Sequence, residues 1–229
     1  CDGSVQKRYQ QEVVAILEVK VLGRGSLELM SNTDDGDLLV VNAARCSFDK
    51  QHEVYDEKND TKLINYLAKH GHVLPFRHPV ATLRITCPIF VLRQLGKHQV
   101  GFSWSEVSRR YITGSPEFWL PDDIRTRPEN IKQGSQAKEW SEEEEDYLKD
   151  VFLRQNNSAV HRYNTLLRKG VAPEQARAIL PQSMYTTCVT TGTLLGWHHL
   201  YKLRTEEHTQ LETQEYAKAI GKIMGELFP

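Results

Sequence analysis

The stretch ATLRITCPIFVLRQLGKH (81–98) decides how the chain folds. Its first seven residues are rich in β-branched side chains, which predicts a strand. Pro88 stops that strand and suits the first position of a helix, because the N–H that it lacks would have no partner there. IFVLRQLGKH (89–98) is therefore predicted as a helix, and its polar end leads into a segment dense in basic residues.

Two strands are predicted upstream of this stretch. They lie within residues 12–31, as EVVAILEVKVL and LELMSN around a GRGS turn. LLVVNAARCSF (38–48) fits a helix or a buried strand, since periodicity alone does not decide for a short apolar run. Asn59 or Asp60 is predicted to cap a short helix, with Gly71 just past its end.

Helices dominate the prediction for the C-terminal half. A polar loop or linker at 122–137 precedes a long amphipathic helix over 140–169, where apolar residues recur at helical spacing. Pro173 opens another helix, and two more are predicted over 193–205 and 209–227. The TTCVTT run fits a helix or an extended segment.

Strands first and helices later predict an α+β fold. We expect a central mixed or antiparallel sheet flanked by long helices, in one domain over residues 12–229. Residues 1–11 read as a polar tail.

Composition limits the classes of partner. With 229 residues, 26% of them charged, and a formal net charge of −1, the chain has no global field that attracts nucleic acid or an acidic membrane. Any anion site must be local. No apolar run approaches the roughly 18 residues of a membrane span. Four scattered cysteines without a CxxC pair indicate reduced thiols in a cytoplasmic protein.

A basic segment, RQLGKHQVGFSWSEVSRRYITGSPEF (93–118), carries the first candidate site. Ser108 lies beside Arg109 and Arg110, and a phosphate monoester is bound by such hydroxyl and guanidinium donors. Glu106 is either an ion-pair partner of these arginines or a group that orients a base edge or a ribose hydroxyl.

A second segment, residues 176–212, places Arg177 and Arg204 among apolar neighbours. A partly buried arginine needs an anionic or strongly accepting partner.

The histidines of KHGHVLPFRHP (69–79) lack an HExxH pair or a thiolate, so no metal site is predicted there. They fit the lining of a pocket or the cap of a helix end.

The order of the motifs resembles that of the flavin-dependent thymidylate synthases. The matching motifs are AARCSF (43–48), KHGHVLPFRHP (69–79), PIFVLRQLGKHQ with SEVSRRY (88–111), ARAILP (176–181) and LRTEEHTQLE (203–212). The resemblance implies an enzyme that methylates dUMP to dTMP. It also implies FAD that accepts a hydride from NADPH, methylenetetrahydrofolate as one-carbon donor, and a homotetramer with sites at subunit interfaces.

The resemblance also assigns roles to residues. Those it places on the nucleotide are Gln94, Lys97, Glu106, Ser108, Arg109, Arg110, Arg177 and Arg204. Those it places on the cofactor are Leu74, Lys97, His98, Gln99, Glu106, Thr193, His199 and His208. The resemblance implies that Arg204 is the catalytic residue, held near N3 and O2 of the pyrimidine, where its charge would stabilise electron density pushed towards C5.

Most departures from the family pattern fall on the flavin side. Lys97–His98–Gln99 stands where the family usually has Arg-His-Arg, and a lysine lacks the planar fork of an arginine. The spacing from His98 to Glu106 is one residue longer than usual. Leu74, Thr193 and His199 also replace the usual family residues.

Two other functions remain open from the sequence. One is a related flavin enzyme with a hydroxymethylated product or a UMP acceptor. The other is a non-catalytic protein that binds a nucleotide through Arg109 and Arg110; the neutral overall charge argues against extended nucleic acid. A cysteine nucleophile is disfavoured because Cys188 has no base nearby in sequence.

Overall fold

The computed structural model describes residues 18–112, 114–129 and 134–229. Five strands form one sheet in the order β1-β2-β3-β5-β4, and every pairing between them is antiparallel. The strands are β1 (Glu18–Val21), β2 (Gly25–Asn32), β3 (Val80–Pro88), β4 (Phe102–Glu106) and β5 (Tyr185–Thr193). The α+β prediction is confirmed, and its choice between a mixed and an antiparallel sheet resolves to antiparallel.

The other regular elements of the described chain are helices and short 3-10 turns. The helices are α1 (Gly36–Arg45), α2 (Glu57–Lys69), α3 (Ile89–Leu95), α4 (Glu142–Arg168), α5 (Pro173–Ala176), α6 (Leu194–Arg204) and α7 (Leu211–Leu227). The 3-10 turns are Cys46–Phe48, Leu74–Arg77 and Arg177–Ile179. The apolar run at 38–48 is thus helical, and the polar tail at 1–11 lies outside the described residues. No described helix is long and apolar enough to cross a membrane.

Strand β5 joins the two halves of the chain. It pairs with β3 along its whole length, from Thr193 opposite Val80 to Tyr185 opposite Pro88. Its side chains alternate between buried and half-buried, as a strand with one covered face requires. The TTCVTT run is therefore extended, and the prediction that strands come first and helices follow is wrong at this strand.

One face of the sheet holds the core. Leu83, Ile85 and Cys188 point into it and pack against Trp197 of α6 and Ile220 of α7. The opposite face is polar. There the hydroxyls of Thr82 and Thr191 lie 2.9 Å apart, and those of Thr86 and Thr187 lie 3.0 Å apart.

Helix α2 begins one turn earlier than predicted. The Asp56 carboxylate accepts the N–H groups of Lys58 and Asn59, each at 3.1 Å, so neither Asn59 nor Asp60 is the cap. Asp60 is instead buried inside the helix and forms an ion pair with Arg45. Gly71 does end the helix in the left-handed region, with φ +70°, as predicted.

The strand-to-helix junction at Pro88 also differs in detail. Pro88 is the last residue of β3 and the N-cap of α3, with ψ 146°, rather than the first helical residue. Gly96 ends α3, so Lys97 and His98 lie in the turn that follows. Gly101, with φ +79°, completes that turn and leads into β4, a strand that the sequence did not predict.

The long helix α4 is confirmed close to its predicted bounds. Ser141 and Glu144 form a reciprocal capping box at its start, which satisfies free N–H groups of the first turn. Although it has 27 residues, its buried ones are Asn156, Ala159 and Tyr163. Several of its apolar side chains are exposed, namely Tyr147, Val151, Phe152 and Leu153.

Candidate active site

A cavity of about 630 Å³ lies where the end of α3, the residues Arg125, Gly134 and Ser135, and the turn between α6 and α7 meet. Most of its lining residues carry polar side chains. The lining residues are Gln94, Arg125, Gly134, Ser135, Leu203, Arg204, Glu206, His208, Thr209 and Gln210. Three predicted site residues, Gln94, Arg204 and His208, are thus brought together, and we refer to this space as the Arg204 cavity.

Arg204, the last residue of α6, is held on two sides. Its Nη2 donates to the main-chain oxygen of Gln94 at 3.0 Å, and its Nε donates to Nε2 of His98 at 3.1 Å. Trp104 of β4 donates from its indole to the main-chain oxygen of His98 at 3.0 Å, which ties the 96–101 turn to the sheet. The guanidinium plane is therefore fixed before any ligand binds.

The contact with Arg204 requires His98 to be neutral, because Nε2 must accept a hydrogen bond through its lone pair. Burial lowers the pKa of His98, and the charge of Arg204 and then the neighbouring His199 lower it further. Burial also lowers the pKa of Arg204, yet a guanidinium keeps its charge at neutral pH. The pair is thus a fixed cation beside a neutral imidazole.

Besides its main-chain contact with Arg204, Gln94 makes a side-chain contact with Gln210 at the cavity wall. Its side-chain amide nitrogen donates to the side-chain oxygen of Gln210 at 2.5 Å. Gln210 is the N-cap of α7 but makes no side-chain cap bond there, so its side chain serves this cross-cavity contact. The sequence marks Gln210 as a polar break in an apolar pattern but assigns it no role.

Arg125 is another site residue that the sequence did not predict. It belongs to the 122–137 segment, which was predicted as a surface loop, yet its side chain is only 13% exposed and forms an ion pair with Glu212 of α7. An arginine in a polar run, with Arg127 two residues further on, gives no local signal of such a contact.

The predicted phosphate-binding residues form a second group. Arg177 donates from Nη1 to the Ser108 hydroxyl at 3.3 Å, and the main-chain N–H of Arg110 donates to the same oxygen at 3.3 Å. Arg109 donates to the main-chain oxygen of Gly114. None of Ser108, Arg109, Arg110 and Arg177 lines the Arg204 cavity.

Glu106 ends β4 beside this second group. Its carboxylate accepts the hydroxyl of Thr186 at 2.8 Å. Within the described ranges it forms no ion pair with an arginine, so the ion-pair alternative is wrong for the single protomer. The oxygen atoms of its carboxylate can therefore accept further hydrogen bonds from a ligand.

The other predicted cofactor residues Leu74, Lys97, Gln99, Thr193 and His199 do not line the Arg204 cavity. Thr193 accepts the N–H of Gly196 at 3.1 Å as the N-cap of α6. Gln99 donates to the main-chain oxygen of Gly96. Lys97, His199 and Leu74 are exposed on the surface. His70 ends α2 with its ring 4.3 Å from that of Tyr66, which fits a helix end.

Two buried cysteines lie in the sheet core. Burial raises the pKa of Cys188 to about 11 and raises the pKa of Cys87 well above its ordinary value. A thiol acts as a nucleophile only as the thiolate. Neither side chain is therefore a nucleophile at neutral pH, in agreement with the sequence argument.

Comparison with known proteins decides the family. The family model described as thymidylate synthase complementing protein matches residues 28–229. A flavin-dependent thymidylate synthase of Kosmotoga olearia is 38% identical over 211 residues, which cover 90% of this chain and 88% of the relative. One from Thermosipho africanus is 36% identical over 213 residues, which cover 93% and 91%. The chain belongs to the flavin-dependent thymidylate synthase family.

Members of the flavin-dependent thymidylate synthase family are methyltransferases, and the chain is therefore an enzyme. A UMP/dUMP methylase, PolB from Streptomyces cacaoi bound with 5-Br dUMP, superposes with a TM-score of 0.79 at 28% identity and covers 91% of this chain and 93% of PolB. The same protein bound with 5-Br UMP gives 0.77, again at 28% identity, with 89% of each chain covered.

The donor set fits the flavin that the family name requires. Lys97 has an exposed ammonium that would suit a phosphate, His98 has a neutral ring, and His208 has an exposed imidazole at the cavity wall. Thr193 and Gln99 are less suited, because their side chains already bond to the backbone of the fold.

Proposed function

We propose that this enzyme converts dUMP to dTMP with Arg204 as its catalytic residue. The observation that carries the proposal is the fixed Arg204 guanidinium, bonded to Gln94 and His98 at the wall of a polar cavity. FAD reduced by NADPH would supply a hydride, and methylenetetrahydrofolate would supply the one-carbon unit.

Arg204 would act by electrostatic stabilisation. Two of its nitrogen atoms are occupied by Gln94 and His98, which leaves the remaining N–H donors for a pyrimidine oxygen. Negative charge that develops on the ring as electron density moves towards C5 would meet a cation already in place. A preorganised charge of this kind needs no reorganisation at the moment of reaction.

The second group would bind the nucleotide phosphate. Ser108, Arg109, Arg110 and Arg177 supply hydroxyl and guanidinium donors of the required type, and Gln94, Lys97 and Glu106 would contribute from neighbouring positions. This group does not line the Arg204 cavity, and a second copy of the chain would bring such a group to it. We therefore propose the homotetramer, with sites at subunit interfaces.

The flavin would lie beside Arg204, contacted by Lys97, His98, Gln99 and His208. The remaining cofactor residues in this proposal are Leu74, Glu106, Thr193 and His199.

We further propose one domain over residues 12–229, because β5 completes a sheet begun at the other end of the chain. A cytoplasmic location is proposed from the free cysteines Cys46, Cys87 and Cys188.

Purified protein tests this proposal directly. We expect a flavin absorbance band and release of tritium from 5-tritiated dUMP in the presence of NADPH and methylenetetrahydrofolate. Tritium release reports substitution at C5, and binding of the phosphate alone does not cause it. A colourless protein that remains inactive after addition of FAD would overturn the proposal.

UMP is a second candidate acceptor, favoured by one observation. The solved neighbour PolB, at 28% identity, is a UMP/dUMP methylase with structures bound to analogues of both nucleotides. Comparing kcat/KM for UMP and dUMP would decide between the two acceptors. Mass spectrometry of the product would separate a methyl from a hydroxymethyl group, which differ by one oxygen.

A further inference from the structure

Arg125 is a second arginine in the wall of the Arg204 cavity, and its orientation is fixed. Its Nη2 contacts Oε1 of Glu212, and its Nε lies 3.6 Å from Oδ2 of Asp123. Its side chain is 13% exposed and that of Glu212 is 5% exposed, whereas Asp123 is largely in solvent. The ion pair with Glu212 is thus mostly withdrawn from water.

Stability does not account for this buried pair. Transfer of two charges out of water costs free energy, and well-packed apolar side chains of similar volume are often as stable or more stable in their place. The pairing is also incomplete, because Oε2 of Glu212 is buried and has no hydrogen-bond partner among the described residues. An ion pair retained at this cost beside a cavity indicates a role in the cavity.

The start of α7 contacts two residues of the cavity wall. Gln210 contacts the nucleotide-binding candidate Gln94, and two residues later Glu212 holds Arg125. Because Glu212 balances its charge, Arg125 supplies directed N–H donors without adding net charge to the cavity. Its Nη2 and Nε face carboxylates, which leaves Nη1 as the donor for a ligand.

We propose that Arg125 is a further nucleotide-binding residue, which donates from Nη1 to an oxygen of the pyrimidine nucleotide in the Arg204 cavity. Glu212 is the positioning residue that fixes the guanidinium plane. The inference rests on the proposed function, since that function places dUMP in this cavity.

A double variant separates binding from stability. Arg125→Leu/Glu212→Leu removes both charges together and avoids an unpaired buried carboxylate. We expect the dissociation constant for dUMP, measured by calorimetry, to rise about ten- to a hundredfold, as for a lost hydrogen bond to a charged group. We expect the Tm to stay close to that of the wild type. The control Glu215→Gln/Lys218→Gln removes an exposed ion pair of the same helix and should leave both quantities unchanged.

A second variant covers the case in which the double variant does not fold. Arg125→Lys keeps a cation for Glu212 but loses the planar fork, and we expect about a tenfold weaker binding of dUMP. Wild-type affinity in either folded variant would overturn the inference and leave the proposed function standing. Absence of dUMP binding and of activity in the wild type would instead overturn the proposed function itself.

Discussion

At the scale of single residues, the site depends on an arginine whose orientation is set by uncharged partners. The oxygen of Gln94 and the ring of His98 accept hydrogen bonds from Arg204 without neutralising it. Its full charge is therefore available to a ligand, whereas the charge of Arg125 is balanced by Glu212. In this cavity Arg204 therefore supplies an uncompensated positive charge, whereas Arg125 supplies directed N–H donors.

Arg204→Ala should strongly reduce turnover while the protein stays folded. Loss of one preorganised charge at a reacting centre costs about 10²- to 10³-fold in kcat. The rate of tritium release measures the loss, and circular dichroism with Tm measures the fold. Near-wild-type turnover in a folded variant would remove Arg204 from the mechanism.

His98 should titrate below the value of an unperturbed histidine, 6.5. Between the lowered folded pKa and 6.5 the unfolded chain binds more protons than the folded chain. The contribution of His98 to stability is therefore present above pH 6.5 and is lost as the pH falls through the folded pKa. NMR titration of the ring, assigned with His98→Gln, measures this pKa. A value at or above 6.5 would show that the ring does not accept from Arg204.

At the scale of elements, the turn between α3 and β4 positions most of the candidate site. It carries Lys97 and His98, and it ends at Gly101, whose φ of +79° few other residues adopt. A Cβ added at Gly101 would lie 2.6 Å from the hydroxyl of Thr193, which caps α6. The turn and the start of the helix that ends in Arg204 are therefore packed against each other.

Gly101→Ala should destabilise the protein more than Gly170→Ala. Both glycines have positive φ, but a Cβ at Gly170 meets no described atom within 4 Å. Gly170→Ala thus measures the cost of the backbone conformation alone, about 1–2 kcal/mol. Gly101→Ala adds the clash with Thr193, typically another 1–3 kcal/mol for an overpacked site. Urea unfolding gives both values, and equal values would contradict the packing argument.

At the scale of the whole molecule, the candidate nucleotide residues fall into two groups, and α4 exposes apolar side chains such as Phe152 and Val151. Assembly of several copies would account for both features, because it would cover α4 and bring the second group of one copy to the cavity of another.

Mixing two inactive variants tests this arrangement. Arg204→Ala and Arg110→Ala should each lose activity alone. If each site takes Arg204 from one copy and Arg110 from another, random reassembly of equal amounts restores roughly a quarter of the sites. The expected result is recovery of activity after joint unfolding and refolding, with each variant refolded alone as the control. No recovery in properly assembled mixtures would place both residues in one protomer.

The amino-acid sequence by itself determined the family, the α+β class, the long helix α4 and the helices that end and begin around Arg204. These depend on local signals: the apolar spacing in α4 and the five short motifs in order. The TTCVTT run stayed open because β-branched residues fit both a strand and a buried segment until β3 is placed beside it.

Only the tertiary structure decided how the site is assembled. The contact between Arg125 and Glu212 joins residues 87 positions apart, and the contact between Gln94 and Gln210 joins residues 116 positions apart. No local pattern encodes such pairs, because each depends on where α7 packs against the sheet and the loop. The partition of the predicted nucleotide residues into two groups has the same origin: it follows from the packing of strands and helices and not from spacing along the chain.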